Sequence, residues 1–121
     1  SVVVDEPAEF LKVPDCLKRI SRHLKQLPTI CLTSCVYFLI KNDDVVYVGK
    51  STSLAGRIAQ HRTSKSFDHV LYLPAPEHAL DELERAFIYK LKPCLNAAMP
   101  VVDTMEPDQA MQKHFGVTNE V

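Results

Sequence analysis

The sequence predicts an α/β fold in which a small, three-stranded, mainly antiparallel sheet is flanked by helices. Two runs rich in β-branched and aromatic residues, at 36–40 and 45–48, are separated by a polar turn, which is typical of a β-hairpin. A third run of this kind lies at 67–73, whereas 54–62 and 77–92 carry apolar residues at helical spacing. A length of 121 residues suits one domain with a single modest core.

Composition and charge are those of an ordinary soluble globular protein. Apolar residues make up 46% and charged residues 24% of the chain, and the net charge is −1. No apolar run approaches the ~20 residues that span a bilayer. The N-terminus also lacks the basic and long apolar segments of a secretory signal. We therefore expect a cytoplasmic protein that does not contact a membrane.

Positive charge is concentrated in two zones, although the total charge is close to neutral. Residues 12–25 contain five basic residues against one acid, and residues 45–67 contain four basic residues and no acid. The basic residues of the second zone are Lys50, Arg57, Arg62 and Lys65. Such zones can form a local footprint for a polyanion even when the whole chain is neutral.

The chain divides into an N-terminal helical extension at 1–32, a core at 33–97 and a C-terminal tail at 98–121. In the extension, apolar residues recur at roughly helical spacing from 7 to 27, and Pro14 marks a start or a kink. This helix either packs on the core with a solvated basic face or contacts nucleic acid, and we favour packing. In the tail, one further helical segment is expected around 107–115.

The four cysteines are Cys16, Cys31, Cys35 and Cys94. None forms a CxxC pair, and no matching histidine spacing completes a zinc site. Disulfides are possible but disfavoured, because the chain is large enough to fold without them and nothing marks it as secreted. We expect free thiols, with Cys31 and Cys94 as small buried residues.

The length of the hairpin turn decides which way two tyrosines face. A three-residue loop at 41–43 would place Tyr37 opposite Tyr47 on one face of the sheet. A two-residue loop at 42–43 would place these side chains on opposite faces, because side chains alternate along a strand. We favour the three-residue loop. After the second strand, Gly49 marks a close backbone approach or unusual dihedral angles.

One acidic residue lies where the helix at 77–92 should be apolar. Glu84 falls inside the apolar stripe, and a carboxylate there is costly unless it is paired or bound to a cation. The other charged residues nearby, Asp81, Glu82 and Arg85, fall on the outer face of the helix and need no such explanation.

An ordered set of residues resembles the GIY-YIG endonuclease family. The first signature reads CVY at 35–37, and the second reads YVG at 47–49. An LxxR…H pattern, the helix acid in LERAFI and the ending LKPCLN follow in family order over about 33–97. The matching residues are Tyr37, Tyr47, Lys50, Arg57, His61, Glu84 and Asn96. A lone YxG would mean little, whereas the full ordered set is specific.

Cys35 is a plain departure from the family pattern, because it stands where the family has glycine. If the glycine serves close backbone packing, a small cysteine fits in its place. If the glycine serves a positive φ, Cys35 would be strained. The departure therefore concerns the local backbone geometry more than the chemistry of the site.

The resemblance implies a DNA endonuclease that hydrolyses a phosphodiester bond with one divalent cation. Glu84 would hold Mg²⁺ or Mn²⁺, which are hard cations that prefer carboxylate and water. Arg57 would neutralise the phosphate through its fork of donors. The DNA would be duplex or branched, and sequence specificity would be low or would come from a partner protein or a second copy of the chain.

The resemblance also assigns the other matching residues. Tyr47 would act as general base on the attacking water, with Lys50 as a cation that assists it. Tyr37 would position water or Tyr47, and His61 would contact phosphate or relay a proton. Asn96 would brace the site from the last segment of the core.

Each residue has a structural interpretation beside the functional one. Taken alone, the tyrosines suit a half-buried strand face, Arg57 suits a solvated helix face, and Glu84 suits an ion pair with Arg57 or His61. The joint order favours a site. The alternatives to an endonuclease are an inactive nucleic-acid-binding module and a protein-interaction scaffold on the same fold.

Overall fold

A four-stranded antiparallel sheet forms the centre of the molecule, in a computed structural model that describes residues 13–26, 34–97 and 104–116. The strands are β1 (Lys25–Gln26), β2 (Cys35–Lys41), β3 (Asp44–Ser51) and β4 (His69–Pro74). Their spatial order is β1-β4-β2-β3, so β3 lies at one edge. The predicted α/β class is confirmed, but the predicted number of three strands is wrong because β1 adds a fourth.

Helices cover both faces of this sheet. They are a 3-10 helix (Asp15–His23), α1 (Leu54–Arg62), α2 (Glu77–Leu91) and α3 (Pro107–Phe115). The bounds of α1 and α3 agree with the sequence prediction. Helix α2 ends one residue early, because Lys92 takes a left-handed φ of 49° ahead of Pro93. Within the described segments, no helix has both the length and the apolarity to cross a bilayer.

The N-terminal segment, predicted as one or two helices up to residue 27, starts a 3-10 helix after Pro14, as expected, but that helix ends at His23. Leu17 and Ile20 are buried and three residues apart, which matches the three residues per turn of a 3-10 helix. The chain then extends, and Lys25 pairs with Tyr72 of β4. This pairing is a long-range contact that local periodicity does not encode. The parts of the predicted helix at 7–12 and at 27 lie outside the described residues.

The β2–β3 hairpin turns through two residues, so the predicted three-residue loop is wrong. Lys41 pairs with Asp44, which leaves Asn42 and Asp43 as the turn. Both turn residues have positive φ, at 52° and 67°. Asn and Asp tolerate this conformation better than other side-chain-bearing residues, and it suits the twist of a tight hairpin.

A β-bulge follows this turn and changes the register. Leu39 pairs with Tyr47, whereas a regular ladder from this turn would pair Leu39 with Val46. Ile40 pairs with Val45, so Val46 is left as an extra residue on β3. The extra residue shifts the alternation by one position, which offsets the shorter turn. Both signature tyrosines therefore face the same side of the sheet, although they are not directly opposite each other.

The sheet separates two apolar clusters. On one face it packs against α2, α3 and the 3-10 helix through Val36, Phe38, Ile40, Val48, Leu71 and Leu73. On the other face, α1 inserts Leu54 and Ile58 against a second cluster that includes Cys35, Tyr37, Leu39 and Tyr72. Helices α1 and α2 therefore lie on opposite faces, and edge strand β3 runs between them.

Helix α3 covers a side of α2 that was predicted to be the outer face. Glu82 Oε1 lies 2.8 Å from His114 Nε2 and 3.0 Å from Lys113 Nζ. These contacts hold the pKa of Glu82 below its ordinary value, with the His114 hydrogen bond as the first cause. The outer-face assignment of Glu82 is therefore wrong, because the tail of the chain returns to pack there.

The cysteines within the described segments form no disulfide. Cys16 and Cys94 are exposed, whereas Cys35 is buried. The prediction of a buried Cys94 is wrong, because Pro93 takes the buried position in that loop. Cys35 keeps an extended strand backbone between Ser51 and Pro74, without the positive φ that would strain it. Cys31 lies outside the described residues.

The tight turn generates a stability prediction. Asp43→Gly should raise the free energy of unfolding by about 0.5–1 kcal/mol, because glycine adopts positive φ without a Cβ penalty. Chemical denaturation measures the change. Asp44→Gly is the matched control: Asp44 is an exposed strand residue, so glycine there should lower stability. A stabilising effect at 44, or none at 43, would contradict the turn geometry.

Candidate active site

Three of the predicted site residues form one aromatic cluster on the α1 face of the sheet. The Tyr37 hydroxyl lies 2.8 Å from His61 Nε2, within hydrogen-bond distance. The ring centroid of Tyr47 lies 4.8 Å from that of His61 and 6.1 Å from that of Tyr37. Tyr37 is fully buried and His61 is 8% exposed, whereas Tyr47 is only half-buried. Tyr47 is therefore the member of the cluster that solvent or a substrate reaches.

Gly49 makes room for this cluster. It pairs with Tyr37 across β2 and β3, and the end of the Tyr37 ring lies directly over its backbone. A Cβ at position 49 would lie 2.5 Å from both Cζ and the hydroxyl oxygen of Tyr37. The glycine of the second signature is thus needed for close approach, because its φ lies outside the positive range.

Burial keeps both members of the Tyr37–His61 hydrogen bond neutral near pH 7. Burial raises the pKa of Tyr37 well above its ordinary value; neighbouring Tyr47 adds to this, and Arg57 opposes it. Burial lowers the pKa of His61, and the charges of Lys65 and Arg57 lower it further. A neutral phenol therefore shares a hydrogen bond with a neutral imidazole in the buried part of the cluster.

The charge of Arg57 acts on groups of both faces of the sheet. It lies in the first turn of α1, where its N–H donates to the Ser53 carbonyl at 3.3 Å, and its side chain is exposed. Its positive charge lowers the pKa of Tyr37 on one face and that of Glu84 on the other. The guanidinium therefore lies within electrostatic range of both the phenol cluster and the carboxylate.

Glu84 is a half-buried carboxylate on α2, close to β3. Burial raises its pKa, and the charge of Asp81 adds to the effect, whereas Lys50 and Arg57 oppose it. Lys50 Nζ lies 3.0 Å from Asp81 Oδ1. Lys50 also faces the α2 side of the sheet, opposite to Tyr47. The sequence predicted that Lys50 assists Tyr47. The structure instead places Lys50 beside Asp81, on the same side of the sheet as Glu84.

Asn96 supports the second signature through its backbone. Its side-chain Oδ1 accepts a hydrogen bond from the Val48 N–H, and its Nδ2 donates to the Val48 carbonyl, each at 2.9 Å. The adjacent Leu95 N–H donates to the Val46 carbonyl at 2.9 Å. The segment thus pairs with the open edge of β3 and holds the residues on either side of Tyr47.

The side chains present fit a hard divalent cation held mainly by water and substrate. Within the described segments, no three His, Cys, Asp or Glu side chains are grouped as a metal site. Mg²⁺ is commonly bound through one or two carboxylates with retained waters and phosphate oxygens. Glu84 supplies such a carboxylate. Burial raises its pKa because it disfavours the ionised form, and a bound cation would offset that cost.

Two residues of this region were not among the predicted site residues. Asp81 pairs with Lys50 and acts on Glu84; its position three residues before Glu84 on the same helix is the signal that could have indicated it. Lys65 places Nζ 4.9 Å from the centroid of the Tyr47 ring. The sequence showed Lys65 only as part of a basic zone, because its contact with Tyr47 joins residues 18 positions apart in the chain.

The close approach at position 49 generates a prediction about stability. Gly49→Ala should lower the free energy of unfolding by about 1–3 kcal/mol, because the new Cβ overlaps the Tyr37 ring. Gly56→Ala on α1 is the matched control. Its Cβ would meet only Ser53 Oγ at 3.6 Å, so alanine there should stabilise the helix by about 0.5–1 kcal/mol. Equal effects at both positions in denaturant titrations would argue against the packing described.

The buried imidazole generates a prediction about pH. Because the pKa of folded His61 lies below its ordinary 6.5, the unfolded chain takes up this proton more readily. Stability should therefore fall as the pH decreases from 7.5 through 6.5 toward the folded pKa. His61→Gln should show a shallower fall in unfolding free energy between pH 7.5 and 5.5. His23, whose pKa burial also lowers, supplies part of the remaining slope. An unchanged slope in the variant would contradict the assignment.

Comparison with protein-family models matches residues 33–96 to the family described as GIY-YIG catalytic domain. Comparison with curated proteins and with solved structures gave no match. The matched residues include both tyrosine signatures, the Arg57–His61 segment, Glu84 and Asn96, and they span more than half of the 121 residues. The chain therefore belongs to the GIY-YIG family.

Proposed function

We propose that this protein is a divalent-metal-dependent endonuclease that hydrolyses a phosphodiester bond of duplex or branched DNA. Family membership supports a nuclease-type function with DNA as substrate. One observation carries the finer proposal. The charge of Arg57 acts on both the Tyr37–Tyr47–His61 cluster and Glu84, which come from opposite faces of the sheet.

Arg57 is suited to bind the scissile phosphate. Its side chain is exposed, and it forms no ion pair with a carboxylate of the described segments. A guanidinium offers two parallel N–H donors to phosphate oxygens, which fixes orientation as well as neutralising charge. The negative charge of the phosphodiester is thereby reduced before a nucleophilic oxygen approaches.

Tyr47 is suited to accept a proton from the attacking water once its own hydroxyl has lost its proton, because only the phenolate acts as a base. It is the half-buried member of the cluster, so its hydroxyl is the one that a substrate-bound water can approach. Tyr37 is fully buried with its pKa raised, and its hydroxyl is occupied with His61. Tyr37 and His61 therefore hold the ring of Tyr47 in place, and Gly49 and Asn96 hold the strand beneath it.

Glu84 is the residue that would hold the cation. When bound there, Mg²⁺ or Mn²⁺ supplies Lewis-acid stabilisation of the charge that develops on the leaving oxygen. Lys50 and Arg57 favour the ionised carboxylate, against the desolvation that disfavours it. Strand alternation places Lys50 on this side of β3, where it forms an ion pair with Asp81.

A nicking assay tests the proposal. Supercoiled plasmid and branched DNAs are incubated with Mg²⁺ or Mn²⁺ and with wild type, Glu84→Gln or Tyr47→Phe. Wild type should nick at least one substrate. Each variant should be slower by about 10²–10⁴-fold, because a positioned general base or a metal ligand is lost.

Matched controls separate a site effect from a general one. Glu77→Gln removes an exposed carboxylate from the first turn of α2, and Tyr89→Phe removes an exposed phenol from the same helix. Both should nick at the wild-type rate. Equal nicking by all five proteins would point to contamination and against this site. Absence of nicking on every substrate, with binding retained, would favour an inactive binding module.

A further inference from the structure

Positive charge is distributed differently on the two sides of the sheet. The Lys and Arg ion pairs found in the described segments all lie on the side of α2 and α3. They are Arg19–Asp108, Lys50–Asp81, Lys90–Glu106 and Lys113–Glu82. Helix α1 and the loop after it contain no acidic residue until Asp68. The α1 side therefore keeps its positive charge available to an external anion.

Two cations on the α1 side extend the site beyond Arg57. Arg62 Cζ lies 5.1 Å from the centroid of the Phe67 ring, and Lys65 Nζ lies 4.9 Å from that of Tyr47. We call Arg62 and Lys65 the flanking pair. Neither forms an ion pair with a carboxylate of the described segments. A cation held over an aromatic face loses less conformational freedom when it binds an anion.

The flanking pair is attached to the site by the end of α1. The Lys65 N–H donates to the His61 carbonyl at 2.7 Å, which fixes the loop against the helix. The rings that support the two cations, Tyr47 and Phe67, belong to one apolar cluster. The charge of Lys65 also lowers the pKa of His61, so it acts within the site.

We propose that Arg62 and Lys65 bind the DNA backbone phosphates next to the scissile one. The strand would pass from Arg57 across Tyr47 to Phe67, past the C-terminal end of α1. The proposal rests on the proposed function, since it assigns further binding residues to that substrate. A DNA strand is favoured over an acidic protein segment because Lys65 lies over the ring of Tyr47, which the proposed function places at the phosphodiester.

Salt-dependent binding tests the proposal without catalysis. A fluorescent duplex is titrated in EDTA over a series of NaCl concentrations with wild type, Arg62→Gln, Lys65→Gln and the double variant. Each phosphate contact contributes about 0.9 to the slope of log K against log salt, so each single variant should lose that amount. A loss of 0.9 in this slope, over the decade from 1 M to 0.1 M salt, corresponds to about eightfold weaker binding at 0.1 M salt. The double variant should lose about twice the slope of either single variant.

The matched control removes the same charge from the other side. Lys90→Gln/Lys113→Gln changes two cations that are paired with Glu106 and Glu82, and it should leave the slope unchanged. An equal loss of slope in both double variants would overturn the proposal, because net charge alone would then explain it. The proposal would also be overturned if the slope measured for the flanking double variant equalled that of wild type.

Cleavage kinetics separate binding from a structural role. With metal present, the flanking double variant should raise KM about 10-fold or more and keep kcat within about twofold, as for a contact made equally before and during the reaction. A fall in kcat with unchanged KM would overturn the proposal. If the flanking variants show the expected slope losses but wild type never nicks, the flanking pair stands and the proposed nuclease fails. If wild type nicks and the flanking variants behave as the control does, the proposed function stands and the flanking pair fails.

Discussion

Val46, the extra residue in the ladder between β2 and β3, decides which side of the sheet the second signature tyrosine faces. A slip of one residue moves every side chain of a strand to the opposite face. Without the bulge, the two-residue turn would have sent Tyr47 to the α2 face, away from Tyr37. The bulged strand lies at an open edge, and it is held there by Leu95 and Asn96, which pair with the backbone of β3. The last segment of the core thus stabilises the register on which the site depends.

The predicted site residues are divided between the two faces of the sheet. The phenol cluster belongs to the α1 face, and Glu84 belongs to the α2 face. β3 is the edge strand between them, and the charge of Arg57 acts on groups of both faces. The two groups are electrostatically different: Tyr37 and His61 form a neutral buried support, whereas the desolvated carboxylate of Glu84 is set among cations. This division suits a reaction in which one side positions a water molecule and the other neutralises charge.

The distribution of ion pairs gives the molecule two distinct sides. Acidic residues of α2, α3 and the segment before α3 neutralise cations on one side, and those contacts attach the tail to the core. Helix α1 and residues 63–67 after it contain no acidic residue, and Arg62 and Lys65 lie over aromatic rings instead of carboxylates. Surface ion pairs contribute little to stability individually. Their effect here is on the electrostatic field, since they leave one side of a nearly neutral protein positive.

The sequence by itself determined the fold class, the family and the order of the site residues. Local signals carry these features: β-branched runs, the helical spacing from Leu54 to Arg62, and a carboxylate inside an apolar stripe at Glu84. Only the tertiary structure decided the register of the hairpin, the partner of Lys50 and the pairing of β1 with β4. These features depend on contacts between residues far apart in the chain, or on one unpaired residue whose position no local pattern marks. Local propensity specifies elements, whereas packing between them specifies which side chains meet.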